Sequence, residues 1–246
     1  MSFLSSDTRR GGRRLAATLI AALTAFGAVS PALAGSFQVN PVNIELPAGG
    51  SSTSLTIRNN DADPVSVRVI AMRWTQENGA DVYAPTKDVI VSPPMFTIKG
   101  GATQLVRVGL RSRTPGAAYR VILEEIPVQK ADSNGIQVAL RLNLPLYVLQ
   151  DKGEAKVSWK AIRGDDGELV LEARNAGTRH AQFLEISTRD SAGNKISLSK
   201  QMGVVLPGGS RQWRTGRKHS AAMSSLPITL RTQGHEVSAD AIVEAR

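Results

Sequence analysis

From residue 36 onward, short runs of β-branched and apolar residues recur every 8–12 positions, parted by Gly, Pro, Asn and Asp turn signals, and this rhythm is that of a β-sandwich. Runs at 36–46, 52–58, 65–75, 89–92, 95–98, 104–110, 118–125 and 136–149 make eight strand candidates, enough for one immunoglobulin-like sandwich. The turns between them include Pro47-Ala48-Gly49-Gly50, Asn59-Asn60-Asp61 and Asn78-Gly79. Residues 149–153 break the rhythm and read as a linker. Seven more candidates follow, at 156–163, 168–175, 182–190, 195–199, 210–214, 227–233 and 236–244. No stretch holds helical periodicity over about 11 residues. The expected fold is all-β, with an N-terminal immunoglobulin-like domain at 35–150 and a smaller one at 151–246.

Residues 1–34 read as a targeting signal. Arg9, Arg10, Arg13 and Arg14 precede an apolar run from Leu15 to about Val29, too short and alanine-rich for a comfortable membrane span. Ala32-Leu33-Ala34 supplies the small-x-small pattern of a signal-peptidase site, so cleavage is expected after Ala34. An uncleaved N-terminal anchor is the alternative. Gly11 and Gly12 stand where a twin-arginine signal needs hydrophobic residues, which favours the general secretory route. No later apolar run approaches the roughly 20 residues of a transmembrane helix, so no stable membrane insertion of the mature part is expected. The chain has no cysteine, so its stability has to come from its cores.

The formal charge is +9, of which the first 34 residues contribute four Arg and one Asp, leaving +6. Such a balance fits nucleic acid in general, but export argues against it. A basic surface facing an acidic protein partner or a terminal carboxylate fits better, and a surface that only maintains solubility fits many of the individual charges equally well.

The inventory for catalysis is thin. His180, His219 and His235 lie in or beside loops without metal-ligand spacing and read as solvated loop histidines. There is no Gly-x-Ser-x-Gly elbow. Gly49-Gly50, Gly100-Gly101 and Gly208-Gly209 sit in turns and start no helix, so none is a phosphate loop. Glu124 and Glu125 are strand neighbours that point to opposite faces and cannot flank one bond. No catalytic residue, metal or cofactor is expected.

One run stands apart. From 136 to 148, Ile136, Val138, Leu140, Leu142, Leu144 and Leu146 share one face of a strand, with Gln137, Ala139, Arg141, Asn143 and Pro145 on the other. Pro145 cannot donate to a ladder, which points to an edge or a bulge. A long apolar edge is an aggregation hazard. An ordinary half-buried strand is one explanation. The other is an edge meant to complete a partner's sheet by β-augmentation.

Three stretches carry a resemblance to the periplasmic pilus-chaperone (PapD-like) family: 91–108 with Pro93-Pro94 and Val106-Arg107-Val108, 119–127 ending in Glu125-Ile126-Pro127, and 136–147. Asn59 and the Gly49-Gly50 turn add to it. The second half matches only in length, position and rhythm. The resemblance implies two sandwiches at an angle, a boomerang with a pilus subunit in its cleft. It implies that Ile136, Val138, Leu140 and Leu142 form the donor strand. It implies a periplasmic protein whose partners are pilin-like subunits and an outer-membrane usher. Donor-strand complementation is an established instance of β-augmentation. Self-association of the free form would hide the edge.

The departures from the family are specific. Members anchor the subunit's terminal carboxylate with a basic pair, and Asn43 and Pro145 stand where that pair is expected. A carboxylate in that cleft still needs a donor. Arg141 is the leading replacement, followed by Arg107 and Arg120, and each also fits a strand-surface or inter-domain charge. The pattern resembles the archaic-type branch of the family. The competing reading is an exported β-sandwich that binds a glycan or a surface protein. It calls for exposed stacking aromatics, whereas aromatics make up 4% of the chain and Trp74, Trp159 and Trp213 fall within expected strands.

Overall fold

The computed structural model describes residues 37–127, 138–164, 166–218 and 224–244, and among these there are strands but no helix. The first sandwich contains β1 (Phe37–Asn40), β2 (Ile44–Leu46), β3 (Ser52–Asn59), β4 (Val65–Glu77), β5 (Ala80–Pro85), β6 (Val89–Ser92), β7 (Met95–Ile98), β8 (Thr103–Leu110), β9 (Ala118–Ile126) and β10 (Arg141–Val148). One sheet runs β1-β3-β8-β6. The other runs β2-β10-β9-β4-β5, with β7 also paired to β4. The period-2 alternation decides which side chains enter the space between them. Leu55 and Ile57 of β3 meet Val106 and Val108 of β8, while Val67, Tyr119, Val121 and Leu146 enter from the other sheet, all at most 1% exposed.

The run expected as one strand at 36–46 is two. β1 pairs with β3, and β2 pairs in parallel with β10. The chain changes sheets at 41–43, where Pro41 has no N–H to continue a ladder.

The second sandwich holds β11 (Val157–Arg163), β12 (Glu168–Asn175), β13 (Ala181–Phe183), β14 (Glu185–Arg189), β15 (Lys195–Ser199), β16 (Gly203–Val205), β17 (Ser210–Lys218), β18 (Ser225–Arg231) and β19 (Glu236–Glu244). Seven strands form a sheet in the order β15-β14-β18-β19-β11-β12-β17, and β13 pairs with β16. Its core is built around Trp159, Phe183 and Trp213, whose ring centroids lie 5.1–6.3 Å apart. Sequence periodicity missed β5 and β16, which are short or poor in β-branched residues, and the run expected as one strand at 182–190 is two, β13 and β14, in different sheets.

Each sandwich locks a turn with one buried asparagine. Asn59, fully buried at the end of β3, donates from Nδ2 to the carbonyls of Asp63 (2.8 Å) and Ile98 (3.2 Å) and accepts from Asp61 N at 3.0 Å. Asn175, fully buried at the end of β12, donates to Arg179 O (2.7 Å) and Val205 O (3.2 Å) and accepts from Lys156 N and Gly177 N.

A separate apolar cluster of Trp74, Ala118, Tyr147, Val204 and Leu206 joins the sandwiches. Gln76 spans the joint: its Nε2 donates to Val204 O at 2.7 Å and its Oε1 accepts from Leu206 N at 2.9 Å. Arg211 pairs with Asp81 at 2.5 Å, and Gln212 N donates to Gly79 O at 2.9 Å. A Cβ on Gly79, which has φ +78°, would come within 2.5 Å of the Gln212 side chain, so this close approach needs glycine.

His180 corrects an expectation. It is not a solvated loop residue but stacks on Tyr147, centroids 3.6 Å apart and planes 9° apart. Burial, with Arg179 beside it, lowers its pKa from 6.5 to about 4, and burial pushes Tyr147 up to about 12. His235 is exposed, and His219 lies outside the described residues.

Two outcomes follow from these packing features. The fold keeps His180 neutral while the unfolded chain takes up a proton below pH 6.5, so stability is expected to fall as pH drops from about 6.5 to about 4, by at most about 3 kcal/mol. Urea unfolding of wild type and His180→Phe across that range checks this, and the variant should lose most of the dependence. Asn59→Ala, which orphans buried carbonyls and a turn N–H, is expected to cost about 2–4 kcal/mol by the same measurement.

Candidate functional site

The site begins with the hydrogen-bonding edges of β10. One side pairs with β9 from Arg141↔Glu124 to Tyr147↔Ala118. Among the described residues the other is covered only from Leu146 to Val148, by β2. The expectation of an edge strand therefore holds for the first part of β10 and not for its end, where β2 makes it an interior strand. The strand is also shorter than expected at 136–149: regular pairing starts at Arg141. Residues 138–140 lead into it, tethered where Leu140 N donates to Glu125 Oε2 (3.0 Å) and Leu140 O accepts from Glu125 N (2.9 Å). Ile136 lies outside the described residues.

The donor-strand candidates grade from free to buried. Val138 is 76% exposed, Leu140 is half-buried, Leu142 packs partly on the core, and Leu144 and Leu146 are core residues. The free edge and its apolar residues thus coincide over 138–142. Beside them a surface groove of about 740 Å³ is lined by Arg68, Met95, Glu124, Ile126, Ala139 and Leu140, among others.

The opposite face of this sheet is organised in rows by strand register. The outermost row is ionic: Glu124 pairs with Arg68 at 2.8 Å and with Arg141 at 3.2 Å. Next come Ile70, Ile122 and Asn143. The third row is Met72, Arg120 and Pro145. Asn43, one residue before the Ile44↔Leu146 pair, adjoins Pro145. The last row, Trp74, Ala118 and Tyr147, is covered by the second sandwich.

The three arginine candidates have different surroundings. Arg107 is exposed on β8, in the other sheet of the sandwich, and shares no row with Asn43 and Pro145. Arg141 projects into solvent, with 63% of its side chain exposed, and already has Glu124 as partner. Arg120 lies directly opposite Pro145. Its guanidinium sits 3.7 Å over the Trp74 ring and 5.9 Å from Tyr83, and its Nε is buried without a hydrogen-bond partner. Among the described residues no carboxylate forms an ion pair with it. A guanidinium held by its flat face keeps N–H edges for an anion. The cross-strand placement Asn43–Pro145–Arg120 had no signal in linear spacing, because it depends on strand order and register.

Asp81 supports this cluster. Its Oδ1 accepts from Trp74 Nε1 (3.0 Å) and Gln76 Nε2 (2.9 Å), and its Oδ2 from Arg211. Burial raises its pKa, but the hydrogen bonds from Gln76, Trp74 and Arg211 outweigh that and hold it below the usual carboxylate value. Sequence reasoning missed Asp81, which lies on the unexpected strand β5. Glu124 and Glu125 diverge to different partners, Glu124 to arginines and Glu125 to Leu140. Among the described residues no three His, Asp or Glu side chains gather as a metal site, and no helix is long and apolar enough to cross a membrane.

Comparison with known proteins gives a consistent picture. Residues 36–149 match the family described as pili and flagellar-assembly chaperone, PapD N-terminal domain. No curated protein sequence matches. Among solved structures, the chain resembles the chaperone–tip subunit pre-assembly complex CsuC–CsuE from archaic chaperone-usher Csu pili of Acinetobacter baumannii, at TM-score 0.65 and 18% identity over 86% of this chain and 99% of that one. It resembles the Salmonella enterica SafA pilin–SafB chaperone complex at TM-score 0.59 and 12% identity, over 84% and 97%. It resembles the Pseudomonas aeruginosa CupB2 chaperone at TM-score 0.53 and 15% identity, over 83% and 100%. These likenesses carry the fold: two β-sandwiches of the PapD-like type. Residues 36–149, the first sandwich, thus match the PapD N-terminal domain of pili and flagellar-assembly chaperones, and over the rest of the chain the likeness to solved pilus chaperones, at 12–18% identity, is one of fold.

Proposed function

We propose that this protein is exported to the periplasm after removal of residues 1–34, and that there it binds and caps pilin-like subunits by donor-strand complementation and passes them to an outer-membrane usher. The observation that carries the reading is the half-covered β10: its uncovered edge coincides with its exposed apolar residues. A subunit with an incomplete sheet gains a backbone ladder from that edge and buries Val138, Leu140 and Leu142, each worth ~1.5–3 kcal/mol when fully buried. Ile136 would extend the same face. The archaic branch of the family fits the missing basic pair at Asn43 and Pro145. Among the anchor candidates, Arg120 is the one we assign to the subunit's C-terminal carboxylate, because it occupies the same row and lacks a carboxylate of its own. The glycan-module reading has little support, since Trp74, Trp159 and Trp213 are at most 3% exposed.

Leu140→Asp is expected to abolish recovery of a soluble complex from periplasm while the free protein keeps its far-UV circular dichroism. Undiminished recovery of small exported subunits with the variant would overturn the donor-strand reading. For the anchor, Arg120→Ala is expected to weaken the purified complex about 30-fold or more and Arg107→Ala less than about twofold. Equal effects, read by dissociation rate, would remove the assignment of Arg120.

A further inference from the structure

Arg120 rests on the Trp74 ring, and Trp74 is 2% exposed. The indole N–H is held by Asp81 Oδ1, which also accepts from Gln76. Gln76 and Asp81 are in turn bound by the second sandwich, through Val204 O, Leu206 N and Arg211. Tyr83, Tyr147 and the apolar cluster pack against the indole ring, and the described hydrogen bond to its N–H ends on one carboxylate shared between the two sandwiches. That carboxylate and Arg120 both sit on Trp74, so an Asp81 without donors would compete for the Arg120 cation. Its three donors, Arg211 among them, occupy it instead.

We infer that Asp81 is a positioning residue for subunit capture: neutralised by Arg211, it fixes the Trp74 ring on which Arg120 is presented and leaves that guanidinium open to a carboxylate. The inference rests on the anchor role proposed for Arg120. It ties the seating of the second sandwich to the availability of the cation on the first. A guanidinium stacked on a fixed indole loses less freedom on meeting a carboxylate than one free to rotate.

The test is a double-mutant cycle on the isolated complex, using the subunit that co-purifies with the wild-type chain, with dissociation rate as the readout. Asp81→Asn is expected to speed dissociation about 5- to 10-fold, Arg120→Ala about 30-fold or more, and the double variant no more than about twofold beyond Arg120→Ala. A purely structural Asp81 would lower thermal stability and speed dissociation by the same factor in both backgrounds. That outcome, or a silent Asp81→Asn, overturns the inference. If Arg120→Ala itself leaves dissociation unchanged, the anchor reading fails and takes the inference with it. Should Asp81→Asn not fold, Trp74→Phe cuts the bond to Asp81 but keeps an aromatic face. The same loss of effect in the Arg120→Ala background is then expected, and independent effects overturn the proposal.

Discussion

A strand edge in water presents N–H and C=O groups that any extended chain can pair with, and the first sandwich leaves such an edge on a strand whose inner face is apolar. Everything around β10 is arranged about that fact. β9 holds it along one side, and among the described residues β2 covers only its last three residues on the other. The buried Leu144 and Leu146 pin the strand to the core, so the open part is offered from a fixed base. Proteins that do not use such an edge shorten, charge or cover it. Here Arg141 and Glu124 charge the opposite face and leave Val138, Leu140 and Leu142 apolar.

The second sandwich does more than add length. It seals the Trp74–Tyr147 row, supplies His180 to stack on Tyr147, and sends Arg211 to Asp81. Through Tyr147 it touches β10 itself, and through Trp74 it touches the ring under Arg120. The two features attributed to subunit capture, an apolar edge and a cation, therefore share one foundation. That foundation is polar and ionic at its rim and aromatic at its centre, and such a joint is specific in register because a shift of one residue would strand Gln76 and Asp81 without partners.

Much of this was legible in the sequence, for physical reasons. The all-β architecture followed from turn residues and alternation. The run at 136–148 stood out because six apolar residues share one face of a stretch containing a proline. What was hidden belongs to register. No spacing along the chain shows that Arg120 lies opposite Pro145, or that Asp81 on a largely exposed strand meets an arginine 130 residues away. The break at Pro41 was visible as a proline, but its consequence, a change of sheet, depends on which neighbours were free to pair. His180 looked like a loop histidine because burial by another sandwich leaves no local trace.

That change of sheet has a further meaning. By crossing from β3 to β10 at 41–43, the start of the chain sets where β10 ceases to be available. Residues 138–145 remain, and eight residues of extended chain span ~26 Å. β2 thus acts as a ruler. Where the uncovered edge ends toward Val148 is fixed by where β2 begins, so lengthening β2 toward Pro41 would shorten that edge without altering a single side chain of residues 138–142.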